Sequence, residues 1–245
     1  MEQWRIVTWN VQGSRGLDRS FVCEHINRTR PDVFVVQEVT RRQTRSLGAE
    51  LAMTHAWARK HIAFPGMSEG LAILTPHSIA SWRSEVLSPA PIWSWRRRIM
   101  LRAHIVRDEQ QRLGVLNVHL SPHDANDQRK EELVRIGAAL RRGRDRHGCF
   151  DIDVVAGDFN DNITSAAVSL QAGGRAHDVG AGGPPTCWTP GKRIGRLPSQ
   201  RMDGAISLGS VVGIRGSTPS AELDRWGRIS DHLPVTIDVS REVGG

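Results

Sequence analysis

Eight short apolar runs, six with polar groups at or near their ends, constrain the possible fold of this chain more than any other feature. The runs are Arg5–Asn10, Val33–Glu38, Leu71–Leu74, Ile99–Val106, Leu113–Leu120, Ile152–Ala156, Asp203–Ser207 and Val235–Val239. They are short and rich in Val, Ile and Leu, as buried strands are. Helical spacing is rarer. Ser20–Thr29 stops at Arg30-Pro31, because a residue before proline is steered out of the helical region. Thr40–Leu51 follows the second run. Asp127–Arg142 has an acidic start, one apolar face of Leu133, Ile136, Ala139 and Leu140, and arginines at its end. Thr164–Gln171 reads as a shorter helix, and Ala172–Gln200, rich in Gly, Pro and Arg, as loop. Strands and helices do not alternate strictly, which favours an α+β layered sandwich over a doubly wound sheet. No repeat or linker divides the chain, so one domain over residues 1–245 is expected.

The polar groups fall in a fixed order. Asn10 ends Thr8-Trp9-Asn10, and Gln37 and Glu38 end the second run. His119 lies in Asn117-Val118-His119-Leu120, and Asp158 and Asn160 lie in Gly157-Asp158-Phe159-Asn160. Asp203 follows Arg201-Met202, and Asp231 and His232 precede Leu233-Pro234-Val235. Each alone has an ordinary explanation. An Asn or Asp after a strand commonly caps a turn, a Glu there commonly starts a helix, and a strand His is commonly a satisfied core residue. Six such coincidences in one chain point instead to a site where acids, amides and imidazoles converge.

In order and spacing these six motifs resemble the endonuclease/exonuclease/phosphatase superfamily, the deoxyribonuclease-I-like fold, from Ile6 to Val239. The resemblance implies a four-layer αββα sandwich of two mixed, mainly antiparallel sheets flanked by helices. It also implies a divalent-metal phosphodiesterase site at one edge of the sheets. Hydrolysing a phosphoester needs a hard cation, an activated water and donors for the developing charge. By this resemblance Glu38 is the principal ligand of Mg²⁺ or Mn²⁺, Asn10 assists it or holds phosphate, and Asp231 is a further metal or water contact. Asp158 orients and deprotonates the attacking water, and Asn160 positions Asp158 and the phosphate. His119 and His232 donate to the phosphoryl oxygens, and Asp203 orients one of these imidazoles. Glu69 stands where some members keep a second such carboxylate. Abasic-site endonucleases of the family usually carry Tyr in the strand motif of His119, and this chain has no Tyr. His119 instead looks like the branch that includes deoxyribonuclease I and the sphingomyelinases.

The loops carry the substrate. Thirty-three Lys and Arg against 26 Asp and Glu give a net charge of +7, nearly all the positive charge being arginine. That balance favours a polyanion, nucleic acid first. A GC-rich source would also inflate arginine. Trp93, Trp95, Arg96, Arg97 and Arg98 mix rings that can stack on bases with cations that bind phosphate. Arg193 is a second phosphate contact, and Trp188 is a candidate for the cleft wall. Each has a plainer reading as a packed or solvated side chain. The leading expectation is a nuclease cleaving DNA or RNA. The alternatives are a hydrolase of small-molecule or lipid phosphate esters and a nucleic-acid-binding module without catalysis. No signal peptide and no membrane segment are visible, so a cytoplasmic monomer is expected. Cys23, Cys149 and Cys187 are too far apart for a CxxC metal pattern, and an odd number argues against a disulfide framework.

Overall fold

A computed structural model describes residues 2–63, 67–88, 97–122, 125–146, 152–170, 175–188, 196–209 and 211–241; the side chains of 61–63, 67 and 143–146 are left aside. The first β strand, β1 (Glu2–Asn10), leads through a 3-10 turn at Gly13–Arg15 into helix α1 (Arg19–Thr29). Then come β2 (Val33–Thr40), α2 (Arg41–Glu50), β3 (Thr54–Ala63), β4 (Met67–Thr75), β5 (Ser78–Ser88), β6 (Arg98–Val106) and β7 (Arg112–His119). The chain continues with α3 (Asn126–Arg146), β8 (Val154–Asp158), α4 (Ile163–Leu170), β9 (Ala176–Val179), β10 (Asp203–Leu208), β11 (Val211–Ser217), α5 (Leu223–Ile229) and β12 (Val235–Arg241). The short helices have local reasons to start. Asp18 accepts a hydrogen bond from the Phe21 amide at the head of α1, and Thr40 and Gln43 form a reciprocal capping box on α2.

The strands form two six-stranded sheets, β11-β12-β1-β2-β4-β3 and β5-β6-β7-β8-β10-β9. Only β1/β2 and β7/β8 pair in parallel; the other pairs are antiparallel. Three apolar clusters explain the layering. Ile6, Val35, Ile73 and Ile237 of the first sheet pack with Leu101, Val115, Ala156 and Ala205 of the second. Leu133 and Ile136 of α3, with Ile163 and Leu170 of α4, cover the outer face of the second sheet. Phe21 and Ile26 of α1, Leu47 of α2 and Trp226 of α5 cover the outer face of the first. The result is the expected α+β sandwich with helices outside both sheets. Among the described residues no helix is long and apolar enough to cross a membrane.

All eight expected strands are present. The four strands that were not anticipated, β3, β5, β9 and β11, are the four sheet edges. An edge strand needs less apolar surface, and polar residues there deter further pairing. In β5, Trp82, Arg83 and Ser84 are exposed. β9 corrects the expectation that Ala172–Gln200 is entirely loop, and α5 was also missed. Gln171, the expected end of α4, lies outside the described residues.

Candidate active site

The polar groups gather at one end of the sandwich because the strand registers align them. Asn10 of β1 lies opposite Gln37 of β2. In the other sheet His119 of β7 lies beside Asp158 of β8, which lies opposite Asp203 of β10. Gly157 makes the β7–β8 approach possible. Its φ is +150°, and a Cβ there would sit 2.0 Å from the Val118 carbonyl oxygen. The Gly-Asp-Phe-Asn motif thus needs its glycine for backbone contact and its acid for the cleft.

Two bulges turn further side chains into the same space. The register of β2 on β4 slips between Gln37 and Val39, leaving Glu38 out of the ladder at φ +55°. The register of β3 on β4 slips between Arg59 and His61, leaving Lys60 out in the same way. The β2 slip lies opposite Leu71 and Gly70 of β4 and the β3 slip opposite Gly70 and Glu69, so the two share Gly70. A bulge re-aims a side chain at the cost of a local pairing. Trp57 reaches across β4 here, its indole N–H donating to the Val39 carbonyl at 3.0 Å. A Cβ on Gly70 would lie 2.1 Å from the Ala58 oxygen and 2.8 Å from that indole nitrogen, so only glycine fits.

Asp158 is the hub. Its Oδ2 accepts from Asn10 Nδ2 at 3.0 Å, and its Oδ1 accepts from the Asn160 backbone amide at 3.0 Å. Asn160, at φ +49°, donates its own side-chain N–H to the Leu120 carbonyl at 2.9 Å, which ties β8 to β7. His119 Nε2 is 3.6 Å from Asp158 Oδ2 and 3.9 Å from Glu38 Oε1. His232 Nε2 is 3.8 Å from Asp158 Oδ2 and 3.7 Å from Asp231 Oδ1. Behind it, His232 Nδ1–H donates to Asp203 Oδ2 at 2.8 Å. The same Asp203 oxygen accepts from the Thr186 hydroxyl at 2.8 Å. The Ser230 hydroxyl donates to the Asn10 carbonyl, and the Trp9 indole donates to the His232 carbonyl at 2.9 Å. These bonds fasten the Ser-Asp-His segment to β1.

Burial pushes the Asp158 carboxyl up to about 6; Asp203 adds to this, while His232, Asn10 and Asn160 oppose it. Burial disfavours the His232 imidazolium, but Asp203 and Asp158 outweigh it and hold its pKa well above the ordinary value. Lys60 is pushed down to about 8, chiefly by burial and then by Arg98, against the pull of Glu38, Glu69 and Asp158. Asp158, Asp203 and His232 place one possible ligand atom each within 4.8 Å of one another, a spacing that could hold a metal ion.

All eight expected catalytic and metal-binding residues line this one end. The expected substrate contacts fare differently. Trp93, Trp95, Arg96 and Arg193 lie outside the described residues, as does Cys149. Arg97 donates to the Lys60 and Arg59 carbonyls at 3.1 and 3.2 Å, so two of its donors brace the β3 bulge. Arg98 is half-buried at the start of β6. Trp188 is a correction: it is 1% exposed in the core under α1 and α5, donates to the Arg196 carbonyl, and offers no face to a ligand. Lys60 was missed as a site residue. It is one of three lysines in the chain, but its sequence neighbourhood carries no catalytic signature.

The family described as Endonuclease/Exonuclease/phosphatase matches residues 7–232. The chain belongs to the endonuclease/exonuclease/phosphatase family. Solved structures of that fold superpose over nearly the whole chain. An endonuclease/exonuclease/phosphatase from Bacteroides vulgatus gives a TM-score of 0.77 at 18% identity, covering 99% of this chain and 100% of that one. A Bacteroides thetaiotaomicron mannosyl-6-phosphatase gives 0.72 at 15%, covering 97% and 99%. D. rerio TDP2, complexed with single strand DNA product, gives 0.69 at 18%, covering 98% and 100%. No curated protein matches the chain. Identities this low carry the fold and nothing finer. Endonuclease/exonuclease/phosphatase members are phosphoesterases and are generally dependent on a divalent metal, so this chain is a hydrolase of that superfamily.

Proposed function

We propose that this protein is a Mg²⁺- or Mn²⁺-dependent phosphodiester hydrolase that cleaves nucleic acid by attack of a water activated at Asp158. The observation that carries the reading is the environment of Asp158. A buried carboxylate is held by Asn10 and Asn160, faces two imidazole Nε2 atoms, and has its pKa raised to about 6. A base works best when its pKa lies near the operating pH. Asp158 can therefore take a proton from water at neutral pH. His232 enters as an imidazolium and His119 as an N–H donor, both toward oxygens of the phosphoryl group.

The donor set fits a hard cation. Glu38, Asn10 and Asp231 offer oxygen, which Mg²⁺ prefers. Glu38 has the more open side chain, 23% exposed against 12% for Asp231 and 1% for Asp158. Asp203 and Asp158 hold His232 as an imidazolium, which has no lone pair for a metal, and this favours the oxygen set over the Asp158–Asp203–His232 trio. When bound, the metal supplies charge neutralisation at the phosphoryl oxygens and a more acidic water.

Nucleic acid is favoured as substrate by the net charge of +7, and the complex of the similar D. rerio TDP2 with single strand DNA product is consistent with it. The test is hydrolysis of plasmid, single-stranded DNA, RNA and a panel of phosphomonoesters, with Mg²⁺, Mn²⁺ or EDTA. The expected result is EDTA-sensitive strand cleavage that falls about 10²–10⁴-fold in Asp158→Asn. Turnover of monoesters alone would overturn the substrate. Nucleic-acid binding without hydrolysis of any phosphoester would overturn the enzyme.

A further inference from the structure

The two imidazoles at the site are held from behind by opposite chemistry. His232 turns Nδ1 to a carboxylate, Asp203, at 2.8 Å. His119 turns Nδ1 to an amine, Lys60 Nζ, at 3.3 Å. Lys60 is 4% exposed, yet it hangs from the edge strand β3. Its inward aim comes from the bulge between Arg59 and His61, where Arg97 donates to the Lys60 and Arg59 carbonyls. An ammonium has three N–H donors and no lone pair. With its pKa at about 8, Lys60 is mostly protonated at neutral pH. It can meet Nδ1 of His119 only where that nitrogen presents a lone pair.

We propose that Lys60 is a positioning residue that fixes His119 as the tautomer with its hydrogen on Nε2, so that this N–H points at the space between Asp158 and Glu38. His119 Nε2 faces these acids at 3.6 and 3.9 Å, where a phosphoryl oxygen of the proposed substrate would lie. The site is thereby asymmetric. His232 carries its own positive charge, backed by Asp203. His119 is a donor whose positive charge sits one bond further back, on Lys60. The tautomer assignment stands on the Lys60–His119 geometry alone; its effect on turnover rests on the hydrolase reading above.

The test has two separable readouts. Ring ¹⁵N spectra of the whole protein, with His119 assigned by its loss in His119→Asn, should give Nδ1 as unprotonated and Nε2 as protonated near neutral pH. Hydrogen on Nδ1 in the wild-type protein would overturn the proposal outright, whatever substrate the enzyme takes. In Lys60→Met, which keeps the length and removes the donor, the spectrum should move toward a mixture of tautomers. If hydrolysis is established, kcat should drop about 10–100-fold with KM little changed, the usual loss when a group behind a site residue is removed. Lys60→Arg, which restores a donor, should recover the Nε2–H tautomer and part of kcat. An unchanged tautomer in folded Lys60→Met, or equal loss in Met and Arg variants, would sink it. Correct tautomer shifts without any phosphoester turnover would leave the proposal standing and remove the hydrolase reading instead.

Discussion

Asp158 and His232 both have raised pKa values, and the proposed mechanism needs both in their charged forms. Asp158 has a carboxyl raised to about 6, so its base form is lost as pH falls through that value. His232 has an imidazolium raised well above its ordinary value, so its charge is lost only as pH rises through the raised pKa. The expected kcat/KM profile is a bell with its acid limb near 6 and its alkaline limb above 6.5. A pH–rate series with metal saturating at every point checks this. An acid limb down at the ordinary carboxylate range would remove Asp158 as the base. The same shifts bear on stability. Both groups have folded values above their unfolded ones. Each therefore adds stability that is complete below its unfolded pKa and is lost as pH rises through its folded one. At this scale much of the site was legible. Asp158, Asn160, Asp231 and His232 sit in short contiguous motifs whose residue types announce chemistry. Lys60 was not legible, because it points inward only through a one-residue slip against β4.

Arg97 makes the same point for elements. A sequence reader sees an arginine beside two tryptophans and infers a phosphate contact. In the structure two of its donors go to the Lys60 and Arg59 carbonyls at the β3 bulge. Arg97→Met should therefore lower kcat and cost about 1 kcal/mol of stability. KM and the salt dependence of binding should stay as they are. A phosphate contact would behave otherwise: KM would rise and the slope of log affinity against log salt would shrink by about 1. Kinetics at several salt concentrations separate the two. The interior strands were readable because both faces are buried and their apolar runs are continuous. The four edge strands were not, since β3, β5, β9 and β11 carry polar or small residues suited to solvent.

Across the whole molecule, the site is divided between two sheets, and something must keep them aligned. Asn117 of β7 does this from inside the sandwich. Its Nδ2 donates to the Val36 and Ala72 carbonyls at 3.0 and 2.9 Å, and its Oδ1 accepts from Gln37 Nε2 at 2.9 Å. Val36 and Ala72 face each other on β2 and β4, so one amide bridges three strands. Asn117→Leu fills similar space but leaves those buried groups unpartnered, each costing about 1–3 kcal/mol. The expected loss is about 2–4 kcal/mol in a urea melt. A change below about 0.5 kcal/mol, typical of surface sites, would show that the bridge does not hold the sheets. The αββα layering followed from the motif series. The inter-sheet amide did not, because Asn117 reads simply as the polar start of a strand motif.

Strand β12 lies between β11 and β1, and the Trp9 indole reaches the His232 carbonyl across 223 residues of chain. A polypeptide still emerging from the ribosome therefore has Asn10, Glu38 and even Asp158 long before it has the imidazole that Asp203 is waiting for. Without the segment from His232 through β12, β1 has only β2 beside it and the cleft lacks its cationic donor. The order of the strands thus makes the site depend on residues separated by more than two hundred positions: it is assembled only when the segment that carries His232 and β12 has closed against β1.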